Sequence, residues 1–210
     1  MTRAAAAGCT FLAALLAAHT AEAVDWQSVL FGGNGGRLPR PIHYRAHFTD
    51  GVRNVHTVEA WREPGRLRRS SDGVLDLYAT RTRSSLTAVL VDRRSGQVIR
   101  GDEGALLRAG HVEAWSELAY VLVRPAGKFD LSRVGRPRRL SGTSCQPYRV
   151  VRGDGTTFTF CWSARLRLPL EIDAPDGRQA FVVDFVEERA APDRIFLPPK
   201  PAVTDRTDDD

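Results

Sequence analysis

The feature that most limits the fold of this chain is a series of turn signals set between short runs of alternating apolar and polar residues. Asp50-Gly51, Ser71-Asp72-Gly73, Ser95-Gly96, Gly153-Asp154-Gly155 and Asp176-Gly177 each separate two such runs. Glycine adopts the positive φ angles that tight turns demand, and an aspartate side chain bonds the backbone of the turn, so each of these is a hairpin signal. The runs have a period of two: Tyr44, Ala46 and Phe48 alternate with His43, Arg45 and His47, and Val55 to Trp61 runs back beyond Asp50-Gly51. Further strands are predicted over Arg66 to Arg69, Val74 to Thr80, Leu86 to Val91, Gln97 to Arg100, Tyr148 to Val151, Thr156 to Trp162, Leu168 to Ile172 and Ala180 to Glu187.

Cys145 and Cys161 flank the Gly153-Asp154-Gly155 turn. A hairpin centred on Gly153 sets them directly opposite one another, at disulfide distance. A two-residue Asp-Gly turn would move the register by three and spoil the pairing, so the cysteines call for a longer or bulged turn. The same register places Tyr148, Val150, Phe158, Phe160 and Trp162 on one face and Arg149, Thr157 and Thr159, with the disulfide, on the other. Arg152-Gly153-Asp154 spells an adhesion tripeptide, but its composition suits a hairpin tip.

One segment departs from period two. In His111 to Pro125, Val112, Trp115, Ala119 and Leu122 recur at helical spacing and end before a proline, which predicts an amphipathic helix with one apolar stripe. The expected fold is therefore α+β: a strongly curved antiparallel sheet, an unclosed half-barrel, covered by a few helices. The helix crossing the open side would leave an apolar groove, the usual form of a site for lipid-like ligands.

The first residues have a basic start at Arg3, an apolar run from Ala4 to Ala18 and the small-residue pattern Ala21-Glu22-Ala23. This predicts a signal peptide over 1–23, cleaved before Val24, and a periplasmic location. The run is shorter than the roughly 20 apolar residues of a membrane-spanning helix. Cys9 precedes the core of the run, whereas a lipidated cysteine should follow it. An N-terminal segment with a glycine-rich linker is expected over 24–40, one domain over 41–200, and an acidic tail over 201–210. The net charge of +5 is carried almost wholly by arginine, since Lys128 and Lys200 are the only lysines. The arginines are spread along the chain and interleaved with acids, the pattern of solvated strand faces rather than of a nucleic-acid patch.

His43, His47 and His56 invite a metal reading. In the simplest Asp50-Gly51 hairpin Arg45 pairs with His56, and the three imidazoles share a face; three such ligands would suit zinc or copper. Against this, Arg45 lies between them and no carboxylate or cysteine joins them nearby, so solvent-facing strand histidines are preferred and no metal is assigned. The chain has no Gly-x-Ser-x-Gly elbow, no His-Glu-x-x-His and no phosphate loop. No catalytic residue and no cofactor are expected.

Read together, Tyr44-Arg-Ala-His-Phe-Thr49 and Glu59-Ala-Trp-Arg-Glu-Pro-Gly-Arg-Leu-Arg68 resemble the periplasmic lipoprotein carriers (the LolA-like family), which show an A-x-F-T strand and then W-x-x-P-x-x-x-R on the returning strand. Phe196-Leu-Pro-Pro-Lys200 with Ala202-Val-Thr-Asp205 is similar to the closing segment of the same family. The resemblance implies an unclosed antiparallel barrel covered by helices, with an aromatic-lined cavity for lipoprotein acyl chains. Here Tyr44, Phe48, Trp61, Phe158, Phe160, Trp162, Phe181 and Phe185 would line the groove, and Trp115, Leu118 and Leu122 would form its lid. The expected partners are lipid or lipoprotein acyl chains, with transient membrane contact. A second expectation is an envelope-stress or assembly factor of the same fold that docks a protein. The carriers have a basic residue just before the motif proline, where this chain has Glu63, with Arg62 one place earlier.

Overall fold

The computed structural model describes residues 25–31, 40–83, 85–102 and 115–199. The expected signal peptide over 1–23, most of the expected linker, Val112, Lys200 and the expected acidic tail lie outside the described residues. Among the described residues twelve strands follow one another as β1 (Ile42–Thr49), β2 (Val55–Glu63), β3 (Arg66–Ser71), β4 (Leu75–Arg81), β5 (Leu86–Asp92), β6 (Val98–Asp102), β7 (Phe129–Arg133), β8 (Arg138–Leu140), β9 (Thr143–Arg152), β10 (Thr157–Ser163), β11 (Leu168–Asp173) and β12 (Gln179–Glu187). They form one antiparallel sheet in the order β6-β5-β4-β3-β2-β1-β12-β11-β10-β9-β7, with β8 paired to β9. The ends of the path, β6 and β7, are not paired with each other, so the sheet is unclosed.

The α+β expectation is corrected by this architecture. Among the described residues the helices are α1 (Trp26–Phe31) and α2 (Trp115–Tyr120), six residues each, and one 3-10 turn, Asp193–Phe196. The fold is thus nearly all antiparallel β, because the turn signals come too close together for helices to form between the strands. Among the described residues the helical spacing from Val112 to Leu122 is realised over α2, and Leu122 lies beyond its end. β7 and β8 were not signalled by alternation: β7 is short, and β8 is three residues long and mostly arginine.

Turn chemistry sets the registers. Pro64-Gly65 joins β2 to β3 with Gly65 at φ 79°, and a Cβ there would stand 2.9 Å from the carbonyl oxygen of Arg81, so only glycine fits. The β9–β10 loop is the three residues 153–155, closed by Arg152 N–H to the Thr156 carbonyl (2.9 Å) and ending in Gly155 at φ 82°. Cys161 consequently pairs with Pro147 and Phe160 with Tyr148, two residues away from the register centred on Gly153. A shift of two preserves the faces, and the Cys145–Cys161 disulfide forms with Cα atoms 5.4 Å apart. Bulges between Arg45 and Ala46 and between Cys161 and Trp162 interrupt the ladders of β1 with β12 and of β10 with β11. Such bulges bend and twist a sheet.

The buried residues gather in two clusters. One joins Leu67, Leu77, Ala79, Leu86 and Ala88 to Tyr148, Phe160 and Trp162, under Trp26 of α1 and Trp115, Leu118 and Ala119 of α2. The other contains Ile42, Tyr44, Ala60, the disulfide, Leu168, Leu170 and Phe181.

Candidate functional site

The first cluster is an aromatic bed beneath short helices. Trp26 meets Phe129 and Phe160 edge-on, with centroids 5.6 and 6.0 Å apart, and Tyr148 stacks on Phe160 at 5.4 Å. Tyr120, at the end of α2, meets Trp162 edge-on at 6.5 Å. Trp115, Leu118 and Leu122, the residues expected to form a lid, are buried members of this cluster. Neither helix is long enough to be stable alone, so each is held by what its apolar face covers. Asp25 adds a cap, accepting from the Ser28 N–H at 2.9 Å.

What holds α2 down is Arg62. In the β1–β2 register Tyr44 opposes Ala60 and Ile42 opposes Arg62, so Arg62 projects to the face of the buried tyrosine. It is 0% exposed. One terminal nitrogen donates to the carbonyls of Ala119 in α2 (2.7 Å) and Arg167 in the β10–β11 turn (2.8 Å), and the other donates to Leu166. The guanidinium lies over the Tyr120 ring at 5.5 Å. Among the described residues no carboxylate pairs with it. Burial pulls its pKa down to about 10, against the opposing influence of the Tyr44 and Tyr120 hydroxyls. A buried cation satisfied only by neutral carbonyls can be released without leaving an opposite charge behind.

Two backbone outliers adjoin this latch. Val121, directly after α2, has φ 60°, and Arg167, whose carbonyl Arg62 holds, has φ 49°. A left-handed conformation costs a non-glycine residue roughly 1–2 kcal/mol, and a β-branched valine adopts it rarely. Trp162 Nε1 and Arg62 Nε are buried without a hydrogen-bond partner among the described residues. Arg62 therefore ties α2 to the β10–β11 turn through one bond to Ala119, over a strained and incompletely satisfied seat.

The eight residues expected to line one groove divide among three places. Phe158, Phe160 and Trp162 lie in or against the cluster under α2. Tyr44, Phe48 and Phe181 belong to the second cluster. Trp61 and Phe185 lie on the opposite face of the sheet, since Trp61 opposes His43 and Phe185 opposes Arg45. Trp61 stacks on His43 at 3.9 Å with Arg189 above it, and Arg45 lies over Phe185. The expected orientations of Trp61 and Arg62 are thus reversed: tryptophan faces out and arginine in. The signal was present in Val58-Glu59-Ala60, whose alternation places the even-numbered residues of β2 inward.

The shared histidine face is also overturned. The β1–β2 loop runs from Asp50 to Asn54 rather than through a two-residue turn, because the Asp50 carboxylate accepts from the Val52 and Asn54 N–H groups and Arg53 takes φ 74°. His56 therefore opposes Phe48, on the other face from His43 and His47. Each histidine faces carboxylates instead of a common metal: His43 those of Glu59 and Glu187, His47 that of Asp184, and His56 those of Asp72 (2.6 Å) and Asp50 (3.2 Å). With acceptors at both ring nitrogens, the Asp72 and Asp50 hydrogen bonds raise the pKa of His56 and favour its imidazolium form. Among the described residues no three such groups are placed to hold a metal ion.

Glu63, at the position before the motif proline, is mostly buried and accepts from Arg66 (2.5 Å) and from the Ala191 N–H (3.0 Å). Arg66 reaches on to Asp193 and covers the Phe196 ring, so Glu63 fastens the C-terminal segment. No protein-family model matches the chain, and no curated protein matches it.

Proposed function

We propose that the protein is an exported, non-enzymatic carrier that shelters acyl chains of a lipid or lipoprotein in the aromatic bed beneath α2. The observation that carries this reading is Arg62: a buried guanidinium, without a counter-charge among the described residues, that fastens α2 over Phe160 and Trp162. Lifting α2 would open an apolar surface already rich in aromatic rings. Each methylene transferred there from water is worth about 0.8 kcal/mol, enough for a carrier to hold a chain yet surrender it to a partner without covalent chemistry. The disulfide and the apolar N-terminal run fit an oxidising, periplasmic setting.

A second reading is favoured by a different observation. Trp61 and Phe185, with Arg45 and Arg189, give the opposite face the aromatic and arginine chemistry common at protein interfaces. On this reading the protein is an envelope assembly or stress factor. Native mass spectrometry of the protein isolated from the envelope of its producing cells distinguishes the two. A lipid-mass adduct is expected for a carrier; a lipid-free species bound to a protein would replace that reading with the second.

A further inference from the structure

Where α2 runs into β7, the aromatic bed reaches the surface in a cleft of about 510 Å³. Its floor includes Trp26, Phe129 and Leu131, which belong to or pack against the cluster under α2. Its walls carry Arg124, Lys128 and Arg152, and a second cleft of about 550 Å³ shares these three cations and extends past Val123, which is 54% exposed. The main chain is built to bring them together: Gly153 N–H donates to the Lys128 carbonyl at 2.9 Å, and a Cβ at Gly153 would crowd that oxygen at 3.3 Å.

The charges are poised rather than spent. Arg124 lies over the Phe129 ring at 5.8 Å and Arg152 over the Phe158 ring at 5.5 Å, so both guanidinium planes are held by the aromatic bed. Among the described residues none of the three cations has a carboxylate within ion-pair distance. Of the carboxylates nearby, Asp25 caps α1, Asp154 caps the β9–β10 loop through Thr156 and also feels the charge of Arg152, and Asp130 lines the same cleft. A cationic rim over an aromatic floor continuous with a buried apolar bed matches a molecule with an anionic head and an apolar tail.

We propose that this cleft takes the phosphate-bearing headgroup of an amphiphile, with Arg124, Lys128 and Arg152 on the phosphate oxygens and the acyl chain passing under α2. The inference rests on the acyl-carrier reading and adds the class of headgroup. Guanidinium and phosphate match in geometry, and Asp130 leaves room for a head that also carries an amine.

The test compares decyl phosphate with decyl maltoside, which share one chain and differ in the head, by calorimetry against the full mature chain and an Arg124→Ser/Arg152→Ser variant. Both arginines are exposed, so the variant keeps the fold. Decyl phosphate is expected to bind at least about tenfold more tightly than decyl maltoside, with the advantage falling at high ionic strength. The double variant should lose the advantage and still bind decyl maltoside. Equal binding of the two amphiphiles by the unaltered protein would overturn the headgroup assignment and leave the acyl reading standing; binding of neither would end both. Inorganic phosphate binding as tightly as decyl phosphate would make this a free-anion site and refute the amphiphile.

Discussion

Replacing Arg62 by methionine should free α2 while leaving the sheet intact. The guanidinium makes three hydrogen bonds to carbonyls of Ala119, Leu166 and Arg167. Bonds from a charged donor are worth about 1.5–3 kcal/mol each, or about 4.5–9 kcal/mol together. Against this stands the burial of the charge. The fall of its pKa to about 10 corresponds to about 3 kcal/mol. The latch therefore contributes a net of at least about 1.5 kcal/mol, and methionine, which fills much of the same space, forfeits it. Because only the Ala119 bond reaches α2, and the other two hold the turn beneath it, the loss should appear first as local opening. Hydrogen exchange followed by mass spectrometry should show the amides of residues 115–122 exchanging at least about tenfold faster, with β10 protection reduced far less. Unchanged protection of α2, or an equal loss across the whole sheet, would refute the reasoning, because Arg62 would then be an ordinary core residue.

Three further outcomes are expected. Reducing the Cys145–Cys161 disulfide, which spans 16 residues, should lower stability by about 3 kcal/mol on the chain-entropy account, read as a fall in the thermal midpoint; an unchanged midpoint would show that the hairpin is fixed without it. His56 has a raised pKa in the folded state, so the stability it adds is fully present below its unfolded value near 6.5 and is lost as pH rises through the folded value. Urea unfolding of the protein and of His56→Gln should therefore differ at pH 5.5 and converge above that folded value, and a difference that grows with pH would contradict the clamp between Asp50 and Asp72. Trp61→Ala, on the outer face, should cost no more than about 1 kcal/mol and leave acyl binding unchanged in a fluorescence titration, whereas loss of binding would return Trp61 to the groove.

Most strands could be read from the sequence because alternation and turn residues report a local property, the two faces of one strand. The faces of the β9–β10 hairpin survived an error of two in register for the same reason. The β1–β2 register failed because Asp50 and Asn54 organise a longer loop through the Asp50 carboxylate, and a shift of three exchanges faces. That single change separated His56 from the other histidines. The orientation of Trp61 was misjudged because its size outweighed the smaller Val58 and Ala60, whose alternation with Glu59 carried the true parity. The role of Arg62 was not legible: its acceptors are backbone carbonyls about 57 and 104 residues away, and backbone acceptors leave no signature in side-chain type. The helical content was overestimated because the spacing from Val112 to Leu122 reports an apolar face, while α2 itself is one short piece.

The central claim is that acyl chains lie under α2, and the four tryptophans make it directly measurable. Trp26, Trp115 and Trp162 belong to the covered cluster, whereas Trp61 is on the opposite face. In a Trp61→Phe variant, titration with a dibrominated fatty acid should quench the remaining fluorescence saturably, since bromine quenches only on close approach. Absence of saturable quenching in that variant, with quenching in the unaltered protein that depends on Trp61, would contradict the account and place the apolar ligand on the outer face.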